Sequence, residues 1–199
     1  MSGTMDLNVI PLGFGDKGKA PSCGEGWKDP ANFTKNNDLV KTRKPQMYGV
    51  LCGKHNNLIV IDYDIHKLEE TSINLQSLKG VHGSSAYIVK TQSGGFHVYH
   101  TYEDKFDSWP GTCGIQGYID IRTTNNYVVS AGSTGYTQVS GNIQKLTPMP
   151  DMIFNKLDGD IQSKLEKKTK RKSKKIYEAD EQDALVELLE DFGFTNVAF

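Results

Sequence analysis

Residues 58–65, LIVIDYDI, carry the pattern from which the fold class is read. The run is dominated by Leu, Ile and Val, the composition of a buried strand. Alternate side chains of a strand share a face, so Asp62 and Asp64 point to one side while Ile59, Ile61, Tyr63 and Ile65 point to the other. Two carboxylates at that spacing repel each other unless a cation or a base lies between them. Mg2+ or Mn2+ would resolve the conflict, since both are hard ions that take oxygen ligands. The plainer alternative is a strand end whose aspartates face water.

Outward from this run, YGVLCG (48–53) and the turn-forming KHNN predict a hairpin that leads into it, and a helix is expected over about 68–78. SAYIVKT, the turn SGG and FHVYHTY form a second predicted pair of strands. GYIDIRTTN and NYVVSAG form a third, joined near Asn125 and Asn126. Residues 1–47, rich in Gly, Pro, Lys and Asn, read as an irregular or lightly structured leader. The expected class is α+β, a mixed α/β domain over residues 1–158.

Two more strands bring chemistry. Asp120, in GYIDIRT, is flanked by Ile119 and Ile121 and shares its strand face with Arg122. Three acids on neighbouring strands can hold two cations about 3.5–4 Å apart, the spacing of two-metal phosphoryl transfer. Gly94 and Gly95 permit a tight turn and a close backbone approach to a ligand, with His97 just inside the next strand. An imidazole there can hold a triphosphate, with Lys90, Thr91, Ser93 and Arg122 as further donors; an ordinary hairpin with a packed histidine has the same sequence. His100, three residues on, faces the other way, which argues against a paired-histidine metal site. Lys19, in KGKAPSCGEGW, either reaches a phosphate or template or sits in a surface loop anchored by Trp27.

The net charge of -1 averages two opposed blocks. Residues 164–175, KLEKKTKRKSKK, hold eight Lys or Arg against one Glu, whereas 176–199 hold seven acids and no base. The other 163 residues carry fifteen bases and sixteen acids, which excludes a global positive field for nucleic acid. The basic block, with Lys170, Arg171 and Lys172, reads as a linker or tether over 159–175 that contacts nucleic acid, followed by an acidic amphipathic helix over 176–199. Three separated cysteines without a CxxC pair fit a reducing, intracellular setting, cytoplasmic or nuclear. No apolar run reaches a membrane span, so no membrane partner is expected.

Taken together, IVIDYDI (59–65), TQSGGFHVYH (91–100) and GYIDIRTTNNYVVSAGS (117–133) resemble, in order and approximate spacing, three motifs of the bifunctional primase-polymerase (prim-pol) domain. That domain belongs to the archaeo-eukaryotic primase superfamily and is known from viral and plasmid replication proteins. YGVLCG looks like the family's glycine-bearing strand, and KAPSCGEGW like its lysine-proline segment closed by tryptophan. The resemblance implies a catalytic sheet related to the RNA-recognition motif, with an added N-terminal α/β part. It implies Asp62, Asp64 and Asp120 as the catalytic, metal-binding acids, Gly95 and His97 in the motif that meets the incoming nucleotide, and Ser133 where the family has a serine after proline. DNA primase or polymerase activity would follow, with a single-stranded DNA template, nucleoside triphosphates and a replicative helicase domain or subunit as partners. A metal-dependent nuclease and a non-catalytic single-strand-binding module are the rival readings of the same residues.

Overall fold

The computed structural model describes residues 7–13, 19–68 and 73–191, with side-chain surroundings up to Arg171 and without that of Lys67. In chain order the elements are β1 (Val9–Pro11), α1 (Phe33–Arg43), β2 (Tyr48–Leu51), β3 (Leu58–Tyr63), α2 (Leu75–His82), β4 (Tyr87–Lys90) and β5 (Phe96–Thr101). There follow β6 (Thr112–Ile115), β7 (Ile119–Arg122), β8 (Tyr127–Val129), β9 (Thr137–Ser140) and α3 (Asp151–Asp191). The chain divides into two compact units, Met1–Leu157 and Asp158–Phe199, and both sheets lie in the first.

A six-stranded antiparallel sheet, in the order β6-β7-β3-β5-β4-β9, carries the fold. β3, the LIVIDYDI strand, is central because both its faces must be covered: Leu58, Ile59, Val60 and Ile61 are fully buried. Its Leu58 and Val60 side joins Val89 and Tyr99 in a core with the three-stranded sheet β1-β2-β8, through Ile10, Val50, Val128 and Val129. The other side meets α2, whose His82 bonds to Tyr63 and His100. Asn74 starts α2 by accepting the Gln76 and Ser77 amides, while the Ser77 hydroxyl accepts the Asn74 amide, a reciprocal cap. The order β3-α2-β4-β5 is the β-α-β-β opening of ferredoxin-like and RNA-recognition folds. Among the described residues no α-helix lies between β5 and β7, where β6 and a 3-10 turn at Asp104–Phe106 stand instead.

The α+β class and the β4–β5 hairpin match the sequence reading; several strand pairings do not. β2 and β3 form no hairpin, because Gly53 (φ 103°) and Asn57 (φ 51°) turn the chain from the small sheet into the large one. β7 and β8 also part company at Asn125 (φ 62°): β7 pairs with β3 and β6, β8 with β2. Each strand joins the sheet that buries its apolar face, so nearness in sequence does not decide its partner. The leader holds β1 and α1 where irregular chain was expected, and α2 begins later than predicted, at its Asn74 cap. α3 runs without a break through the Lys/Arg block that reads as a linker or tether, since Lys, Arg, Glu and Leu are strong helix formers and no proline follows Pro150.

Candidate active site

Register across three strands assembles the site. Asp62 of β3 lies directly opposite Asp120 of β7 on one side and His97 of β5 on the other. Directly paired residues share a face, so all three side chains project together. Asp64 follows the last residue of β3, its amide donating to the Tyr118 carbonyl at 2.7 Å. One oxygen from each of Asp62, Asp64 and Asp120 can be chosen so that all lie within 4.8 Å of one another.

Gly95 allows this end of the sheet to close. A Cβ at that position would collide with the Tyr63 carbonyl oxygen, between the two aspartates, and would crowd Thr91 Oγ1. Glycine therefore lets the β4–β5 turn lie against the end of β3. The turn is closed by Thr91 N to Gly95 O at 2.9 Å and by Gly94 N to Thr91 O at 3.0 Å, with Gly94 at φ 91°.

Electrostatically the acids are in conflict. Burial, joined by repulsion from Asp64 and Asp120 and partly offset by Arg122 and Lys19, pushes the Asp62 carboxyl up to about 7. Asp62 Oδ1 is buried and has no hydrogen-bond partner; the nearest cationic candidate is His97 Nε2 at 3.5 Å. His97 supplies little charge, because burial and then the positive charges of Lys19 and Arg122 push it down to about 3. A neutral imidazole offers one N–H donor. Arg122 pairs with Asp120 at 3.1 Å and also donates to Thr112 Oγ1 at 3.0 Å.

These groups open into a cleft of about 340 Å³ whose lining includes Lys19, Asp62, Asp64, His97, Arg122 and Tyr136. The edge strand of the small sheet closes it, through Tyr127, Val128 and Val129. Lys19, Arg122 and His97 thus stand in one cleft with Asp62 and Asp64. Three other candidates fall elsewhere. Lys90 is one step out of phase: Val89 pairs with His97 and Lys90 with Phe96, which puts Lys90 on the opposite face of the sheet. Ser93 is exposed in the turn, its hydroxyl 3.2 Å from Thr91 Oγ1, and does not line the cleft. The Ser133 hydroxyl is committed to Tyr48, accepting its amide at 3.0 Å and donating to its carbonyl at 3.1 Å, so it clamps β2 instead of facing a ligand. Lys170 and Arg171 are exposed on α3, and the Lys172 side chain lies outside the described residues.

Sequence reading missed Tyr127 and Tyr136. Tyr127 stands in the quoted NNYVV run, but only the assembled cleft singles it out. Tyr136 accepts a hydrogen bond from Lys19 across 117 positions, a pairing that leaves no local trace.

Residues 4–152 match the family model of the bifunctional DNA primase/polymerase N-terminal domain, Prim-Pol. The chain belongs to the Prim-Pol family. No curated protein matches it. The match spans all nine described strands and stops two residues into α3, so the Lys/Arg block lies outside it. Membership implies a nucleotidyl-transfer domain of the primase/polymerase type, acting with DNA and nucleotides, in a family whose enzymes use divalent metal ions. The Prim-Pol acids fit such an ion: they are oxygen donors, mutually close, and one buried oxygen lacks a partner. No described helix is long and apolar enough to cross a membrane.

Proposed function

We propose that this Prim-Pol domain joins nucleotides on a single-stranded DNA template, with Asp62, Asp64 and Asp120 holding two Mg2+ or Mn2+ ions in the cleft. The observation that carries this reading is the row Asp120–Asp62–His97 across three paired strands, with Asp62 Oδ1 buried and unpartnered. Bound there, the ions would lower the pKa of the attacking hydroxyl and stabilise charge on the phosphates. The chain's own part is placement. Asp62 and Asp120 stand opposite each other on rigid strands, so their oxygens need no reorganisation at the moment of reaction. His97, neutral and walled in, donates one N–H to a phosphate oxygen without competing for the ions. Lys19 and Arg122 add fixed positive charge beside them. A primer 3′-hydroxyl attacks the α-phosphate, the new phosphodiester forms, and the bond to the β-phosphate breaks to release pyrophosphate.

Residues 1–158 form the catalytic domain in this proposal. Lys170, Arg171 and Lys172 serve as a template-holding basic segment on α3, and the acidic block follows. A replicative helicase domain or subunit is its working partner. The test is a labelled primer on a template with manganese, with and without deoxynucleoside triphosphates. Extension that requires the triphosphates is expected; shortening of the strand in their absence would make the acids a nuclease centre, and neither product would leave a binding module.

A further inference from the structure

Lys19 is exposed, and an exposed lysine ordinarily keeps its rotamer freedom, yet here the residue is held at both ends. Its carbonyl accepts the Tyr127 hydroxyl at 2.8 Å, and its Nζ donates to the Tyr136 hydroxyl. Both tyrosines are themselves fixed. Tyr136 is 4% exposed, its ring 5.7 Å from the His97 ring at 38°, and Tyr127 meets Trp27 edge-on at 5.0 Å. The neighbouring backbone is tied down as well, by Gly13 N to Ala20 O at 2.7 Å and a bridge between Leu12 and Pro21.

Such an arrangement adds little to stability, because ordering a long side chain costs about as much as one solvent-accessible hydrogen bond returns. Its product is a fixed charge. The ammonium acts on Asp62 and His97, which line the same cleft, opposing the rise of the Asp62 carboxyl and adding to the fall of His97. Arg122, which also lines the cleft, is paired with Asp120, whereas Lys19 makes no ion pair among the described residues. Its hydrogen-bond partner is a neutral phenol, and the carboxylates of the cleft act on its charge only through space. An ammonium has three N–H donors; one is used on Tyr136 and two remain for an anion.

We propose that Tyr136 is a positioning residue that presents the Lys19 ammonium to the terminal phosphates of the incoming nucleoside triphosphate, while Tyr127 holds the same lysine by its backbone. The inference rests on the nucleotidyl-transfer reading of the cleft. Its logic is preorganisation: a lysine already ordered does not charge its entropy against substrate binding. Because the group acts on the phosphate tail, it discriminates triphosphate from monophosphate and bears on substrate binding more than on the chemical step.

The experiment measures equilibrium binding of a nucleoside triphosphate and of the matching monophosphate to the full chain with Mg2+, for the parent, Lys19→Met, Tyr136→Phe and the double variant. Tyr136→Phe keeps the ring against His97 and removes only the hydroxyl. Lys19→Met should weaken triphosphate binding by about tenfold and Tyr136→Phe by about three- to tenfold, with monophosphate binding changed less than about twofold. The double variant should bind no more weakly than Lys19→Met, because Tyr136 acts through the lysine. In turnover, KM for the nucleotide rises while kcat stays within about twofold. An additive double variant, equal losses for mono- and triphosphate, or no loss would each overturn the assignment. If Tyr136→Phe fails to fold, Tyr127→Phe decides it, with a smaller loss confined to the triphosphate. A parent that binds no triphosphate defeats the nucleotidyl-transfer reading as well; a parent that binds it, with variants that do not differ, defeats the lysine assignment alone.

Discussion

Two histidines three residues apart on β5 lie on opposite faces of the large sheet and are held in opposite ways. On one face His100 closes a chain of hydrogen bonds in which every described ring nitrogen is used. Tyr63 Oη lies 2.8 Å from His82 Nε2, His82 Nδ1 lies 2.8 Å from His100 Nε2, and His100 Nδ1 lies 3.2 Å from the Thr147 carbonyl. With neutral rings only one proton order satisfies it: Tyr63 donates to His82, His82 to His100, and His100 to Thr147. On the other face Asp62 Oδ1 is buried without a partner, beside two further carboxylates. A buried polar group left unmatched costs stability, and a matched one costs little. One strand pair thus has a face of closed hydrogen bonds and a face that carries the acid cluster, the one proposed as reactive, and the unmatched polarity gathers on the second.

The sharpest way to break this comparison is Asp62→Asn. Nucleotide incorporation should fall by on the order of 10³-fold or more. Without divalent ions the same variant should melt higher than the parent, because it removes a buried carboxylate that its neighbours repel. About 1 kcal/mol of relief corresponds to roughly 2–4 °C in Tm for a chain of this size. Incorporation at the parent rate by folded Asp62→Asn protein would show that the unmatched face is not the reactive one.

Acid unfolding without divalent ions sharpens it further, since the groups involved pull in opposite directions. His82 and His97 are pushed down to about 3 and His100 to about 4, burial being the leading cause for each. Below about pH 6.5 the unfolded chain therefore takes up protons that the folded chain refuses, and stability falls as the pH drops toward 4. Asp62, raised to about 7, is protonated in the folded chain before the unfolded one, so its share rises over the same fall in pH. Three histidines against one aspartate leave a net difference of about two protons near pH 5, a slope of roughly 2.7 kcal/mol per pH unit from these four groups. Denaturant titrations from pH 6.5 to 4 measure it. Asp62→Asn should steepen the slope by about one proton, and a slope that flattens instead would reverse the assignment of the two faces.

The face with the acid cluster was the more legible of the two in the sequence. The Asp62 and Asp64 alternation and the glycine turn before His97 are local patterns, and strand geometry converts them directly into a shared face. Asp120 came from the same rule applied to a second strand. Lys90 was misplaced because the register of β4 against β5 depends on the Thr91–Gly95 closure, and one residue of slip exchanges the faces. Ser133 was taken for a ligand by position, when its hydroxyl serves the Tyr48 backbone. The structural face gave no signal: His82 on α2 and His100 on β5 stand in unremarkable surroundings, and their link exists only after α2 packs on the sheet. The same holds for the exchange of β2 and β8 into the small sheet, which is fixed by burial between segments far apart in sequence.

The finest test of the comparison is Tyr63→Phe, because Tyr63 sits between Asp62 and Asp64 in sequence and on the other face in space. Removing its hydroxyl leaves the ring in place and deprives His82 Nε2 of its donor at a buried position. The cost should be about 1–2 kcal/mol, and Tm should drop by several degrees. Incorporation by the folded fraction should stay within about twofold of the parent, since the side chain faces α2 and touches none of the cleft. Proximity along the chain argues for the opposite result, a catalytic defect without a stability defect, and the two outcomes separate cleanly when melting and incorporation are measured on one preparation. A kcat loss at unchanged Tm would mean that the two faces of β3 are coupled, and that the hydrogen-bonded chain behind the sheet sets the reactivity of the acids in front of it.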